Sequence, residues 1–159
     1  RKQLKDAMAR REPDELRKAI AEGQAAGLDK AELEEARKTL AKEEANREAL
    51  RKLRDAMERR DVDALRDAIK FAEGKGFRGP ELNDARRMLE QEERKKKARE
   101  ALKEAIASGN QEKIKAAIEQ GEKAHLDGDE LEDGWKALHQ AQAKEQASRD
   151  LKDALASGS

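Results

Sequence analysis

Leucine recurs at positions 4, 53, 102 and 151, each 49 residues after the last, and that interval governs most of the chain. The segments starting at these leucines read LKDAMARR, LRDAMERR, LKEAIASG and LKDALASG. Other columns keep the register: Leu16, Leu65 and Ile114; Ile20, Ile69 and Ile118; Leu28, Phe77 and Leu126; Leu33, Leu82 and Leu131; Leu40, Leu89 and Leu138. Large apolar side chains in register without gaps mark a tandem repeat, whose copies bury their apolar faces through their neighbours. The period divides the chain into residues 1–52, 53–101 and 102–150, with a fourth copy, 151–159, cut short. The chain opens at Arg1 rather than Met, so a fragment of a longer array is expected.

Within a copy the apolar spacing is helical. Leu53, Ala56 and Met57 stand at i, i+3 and i+4, as do Leu65, Ala68 and Ile69. Strands have little support, since valine occurs once (Val62) and tyrosine never. Charged residues make up 45% of the chain and hydrophobic ones 36%, with 36 basic against 36 acidic side chains. Balanced charge on a background of strong helix formers predicts long, solvated helices rather than a disordered polyampholyte. The fold class read from the sequence is therefore all-α.

Each copy breaks twice. The first break falls at Glu12, Asp61 and Asn110, polar residues where a helix wants an N-cap, with Pro13 next at a position that needs no N–H. The second falls at Gly27 and Gly76, each followed by an apolar residue, the pattern of a left-handed cap; His125 replaces the glycine in the third copy. Asp29-x-x-Glu32 and Asp127-x-x-Glu130 have capping-box spacing, and Gly79-Pro80 serves at the same place in the second copy.

Positions 41–52 of each copy hold almost no large apolar residue, yet no glycine or proline either. The helix is expected to run through them into the next copy, held by i,i+4 pairs such as Glu90–Arg94, Glu92–Lys96 and Glu93–Lys97. Long helices are predicted at 30–60, 80–108 and 129–156, and short ones at 63–75 and 111–123. The end of one long helix, a short helix and the start of the next would form a small three-helix bundle. Bundles linked by continuous long helices resemble a miniature spectrin-type rod in architecture, though not in sequence motif. The alternative is an α-solenoid, which would bury both halves of each long helix.

Chemistry finds few footholds. With no cysteine, disulfides, thiolate metal sites and cysteine nucleophiles are excluded. His125 and His139 fall on different elements. Asp127-Gly-Asp-Glu-Leu superficially resembles a calcium loop, but Leu131 stands where the fifth-position oxygen ligand belongs. No catalytic residue, metal, cofactor or small-molecule substrate is expected. The one basic cluster is Arg94, Lys95, Lys96 and Lys97, with Arg99, directly after Glu90, Glu92 and Glu93. It reads first as a self-paired helix face and second as a site for an anionic or calmodulin-like partner. Trp135 is the most unusual residue, because its column holds Arg37 and Arg86 elsewhere. It is either a rim residue packed over its own bundle, with Gly134 making room, or an aromatic anchor for a partner.

The function expected is a non-enzymatic helical-repeat rod, a spacer or scaffold within a larger protein or assembly. A module recognising a cytoskeletal or calmodulin-like protein is the alternative, and an engineered repeat protein a further one. Partners are expected to be proteins, neighbouring repeats of the same protein included, and not nucleic acid or membrane. An intracellular, cytoplasmic or cytoskeletal setting is the default.

Overall fold

The computed structural model describes residues 1–158; Ser159, the last residue of the segment 151–159 read as the start of a fourth copy, lies outside them. The described residues form seven helices and no strand: α1 (Lys2–Arg10), α2 (Pro13–Ala25), α3 (Lys30–Arg59), α4 (Val62–Gly74), α5 (Pro80–Ser108), α6 (Gln111–Lys123) and α7 (Gly128–Ala156). From α2 onward short and long helices alternate, at the places where the apolar spacing predicted them. Among the described residues no helix is long and apolar enough to cross a membrane.

The chain divides into two compact units, Arg1–Leu89 and a second that begins at Glu90. The first contains two apolar clusters. Leu4 and Ala7 of α1, Leu16, Ala19 and Ile20 of α2, and Leu33 and Ala36 of α3 make one. The other joins Ala49, Leu53 and Ala56 of α3 to Leu65, Ala68, Ile69 and Ala72 of α4 and to Leu82 and Ala85 of α5. Helix α3 thus belongs to two clusters, one at each end. In the second unit, Ala98, Leu102 and Ala105 of α5 pack with Ile114, Ala117 and Ile118 of α6, Leu126, and Leu131 and Leu138 of α7. Alanines between the large side chains let helix backbones approach closely, while each buried leucine or isoleucine contributes about 1.5–3 kcal/mol. Phe71, Phe77 and Met88 close the second cluster from its edge, and the Lys52 ammonium lies 4.1 Å from the centre of the Phe71 ring.

The helix ends follow the expected capping rules only in part. Asp61 accepts a hydrogen bond from the Asp63 N–H and Asn110 one from the Lys113 N–H. Glu12 makes no cap bond; its longer side chain reaches the Arg47 guanidinium at 2.7 Å instead. The capping box forms at Asp127 and Glu130, with both bonds present. It does not form at Asp29, where Glu32 pairs with Arg1. Short helices end as the glycines predict. Leu28 N–H bonds to the Gly23 carbonyl and Gly27 N–H to that of Gln24, with Gly27 at φ 76°.

His125 completes the same pair of bonds at φ 64°, a backbone conformation that costs a residue with a Cβ roughly 1 kcal/mol or more. His125→Gly is therefore expected to stabilise the protein by about 1 kcal/mol, raising the melting midpoint by roughly 2–4 °C in thermal circular dichroism. A second left-handed column went unread in the sequence. Arg11, Arg60 and Gly109 stand 49 residues apart and take φ values of 56°, 52° and 65°.

Positions 41–52 are less solvated than their composition suggests. Ala49 is fully buried, and Glu43 and Glu44 pair with Arg11, at the end of α1, and Arg17 of α2. The polar stretch of α3 is bound along one face and free along the other.

Candidate functional site

Trp135 lies on α7 one turn beyond the buried Leu131 and is 45% exposed. Its neighbour Gly134 does not make room for the indole. A Cβ at Gly134 would stand 2.8 Å from Leu102 Cδ1 and 3.0 Å from Ile118 Cγ1, so the glycine accommodates the packed core. The equivalent Arg86 is tied to Glu73 at 3.1 Å and to Asn83, a polar arrangement that tryptophan cannot reproduce. The exposure predicts a red-shifted Trp135 emission, readily quenched by acrylamide. A blue-shifted, quencher-resistant emission from the free protein would mean that the ring is packed against its own bundle.

The basic cluster is largely engaged within its own unit. Arg94 pairs with Glu90 at 2.7 Å and Lys95 with Glu92 at 3.8 Å, both along α5. Glu92 thus meets the cation three residues on, where the sequence suggested Lys96. Arg99 crosses to Glu130 in the first turn of α7. Lys96 and Lys97 are exposed. Exposed pairs of this kind contribute at most about 1 kcal/mol each.

The histidines stay apart, His125 in the cap after α6 and His139 exposed on α7. Among the described residues no group of three or more His, Asp and Glu side chains could hold a metal ion. Concavities are solvent-open grooves. One of 790 Å³ runs past Leu28, Leu33 and Arg37.

One feature escaped the sequence reading. Leu151 and Leu155 fall in columns that are apolar and packed in the other copies, yet they are 63% and 69% exposed. The register that identifies them was visible; their exposure among the described residues was not.

Comparison with protein-family models, with curated proteins and with solved structures finds no match to this chain.

Proposed function

We propose that the chain is a helical-repeat rod that acts as a spacer or scaffold within a larger protein or assembly, without catalytic activity. The observation that carries this reading is the double use of the long helices. The first turns of α3 belong to one apolar cluster and its last turns to the next, and α5 likewise supplies Leu82 to one cluster and Leu102 to another. A helix of 29 residues rises about 44 Å, and a short helix of 13 residues returns about 20 Å. On this reading each period would advance the chain by roughly 25 Å, giving an array of roughly 80–100 Å. Small-angle scattering of the whole chain tests this. An elongated particle of about that length is expected, and a compact globule, as an α-solenoid hairpin stack would give, overturns it.

The exposure of Trp135 favours a second reading, a module for protein recognition with a cytoskeletal or calmodulin-like partner. A half-exposed indole beside charged side chains is the kind of residue that anchors an interface. Loss of a captured partner on Trp135→Ala, with the melting midpoint unchanged, supports it. Both readings suit an intracellular setting.

A further inference from the structure

Arg86 ties together the two helices of its hairpin. One guanidinium nitrogen donates to Glu73 at 3.1 Å and the other to Asn83 at 3.2 Å. Glu73 stands in the last turn of α4, and Asn83 lies three residues before the arginine on α5. One period of 49 residues later, the same three columns hold Glu122, Glu132 and Trp135. Both acceptors are now carboxylates, and an indole has replaced the donor.

The two hairpins turn in the same way. Phe77 N–H bonds to the Ala72 carbonyl at 2.9 Å and Gly76 N–H to that of Glu73 at 3.1 Å. Leu126 N–H bonds to the Gly121 carbonyl at 2.9 Å and His125 N–H to that of Glu122 at 3.1 Å. Glu122 and Glu132 therefore take the places beside Trp135 that Glu73 and Asn83 hold beside Arg86. Among the described residues the Glu122 carboxylate has no hydrogen bond or ion pair. Glu132 has the exposed Lys136, 3.5 Å away along α7. A guanidinium displaces such an ammonium readily, because its planar fork meets a carboxylate through two parallel bonds.

We propose that Trp135, Glu122 and Glu132 form a receptor for an arginine of a partner protein, which restores between molecules the pairing that Arg86 makes within one. The guanidinium stacks on the exposed indole face and donates to the two carboxylates. Tryptophan offers the best cation-binding face of the aromatic side chains, and arginine combines stacking with forked donation where lysine does not. The chain already uses an aromatic face in this way, with the Lys52 ammonium 4.1 Å from the centre of the Phe71 ring. The surrounding charge is complementary to a cation, since residues 102–150 carry 11 acidic and 7 basic side chains. A small guanidinium compound is not the occupant. The ring is 45% exposed on an open helix face, whereas small ligands are held by burial of most of their surface. The receptor rests on the reading of Trp135 as a recognition residue, and it narrows the partner to an arginine-bearing segment.

The single tryptophan gives one indole N–H resonance to follow by nuclear magnetic resonance. The full chain is titrated at constant ionic strength with an end-blocked Gly-Arg-Gly peptide, and with the same peptide bearing lysine or uncharged citrulline instead of arginine. The arginine peptide should move the resonance along a saturating curve with a midpoint of about 1–10 mM. The lysine peptide should bind about three-fold or more weaker, and the citrulline peptide should give no saturating shift. Glu122→Gln with Glu132→Gln, both at exposed positions, should weaken the arginine peptide about ten-fold while the protein's melting stays unchanged. No saturation with arginine, an equal response to lysine or citrulline, or binding indifferent to the double variant overturns the proposal. Failure of the recognition reading itself looks different: a captured partner then survives Trp135→Ala, and the receptor falls with that reading. A partner lost on Trp135→Ala but retained by the double glutamine variant leaves the recognition reading standing and overturns the arginine receptor alone.

Discussion

Proline at position 102 is expected to abolish the folding transition of most of the chain, not merely to trim one helix. Leu102 sits inside α5 and is buried among residues of α6 and α7. The substitution removes the hydrogen bond to the carbonyl of residue 98 and forces the ring against it, at a cost of about 3 kcal/mol or more. Loss of the buried leucine side chain adds about 2–5 kcal/mol. Together they approach the 5–15 kcal/mol of a whole domain. The apolar clusters are small, seven to nine buried residues each and nearly half of them alanine. Cores of that size are marginal without disulfides or metals. Each therefore depends on the next through the long helix that serves both, in nearest-neighbour fashion. Far-ultraviolet circular dichroism should lose the signal of α4 to α7 in a single step. A loss confined to the residues after position 98, with an unchanged midpoint for the remainder, would falsify the shared-helix dependence.

How much of this was legible in the sequence depends on the distance over which the cause acts. Helix extents were readable because their causes are local: glycines at 27 and 76, an acid before Val62, and apolar residues three and four apart. Caps were readable only in part. At Asp127 the box forms even though Glu130 also pairs with Arg99, 31 residues back in the chain. Glu12 makes no cap bond and reaches Arg47, 35 residues away, which no local rule anticipates. The left-handed turns at Arg11 and Arg60 were concealed by the wrong residue type, although Gly109 in the same column was the signal. The burial of Ala49 and Ala98 was missed for a related reason. Alanine in a charged stretch reads as a helix former, and only the neighbouring helix shows that the column faces a core. For the candidate site, the sequence singled out Trp135 by its departure from the arginine column, and the ring is half-exposed. It ranked the basic cluster beside it, whereas most of that charge is taken up by glutamates of α5 and α7.

Leu53→Ala and Leu151→Ala should separate by about 3 kcal/mol, although the two leucines occupy one column and sit in nearly the same local sequence, LRDAM and LKDAL. Leu53 is wholly inaccessible to solvent, between α4 and the start of α5. Truncation there removes its transfer free energy and leaves a cavity that close-packed helices fill only partly, for about 3–4 kcal/mol. At roughly 2–4 °C per kcal/mol for a chain of this length, the midpoint should fall on the order of 6–16 °C. Leu151 is 63% exposed. Its removal forfeits little burial, and alanine is at least as good a helix former, so the change should stay within about 0.5 kcal/mol. Urea denaturation of the two variants measures both. A comparable cost at Leu151 would show that the end of α7 is already covered in solution.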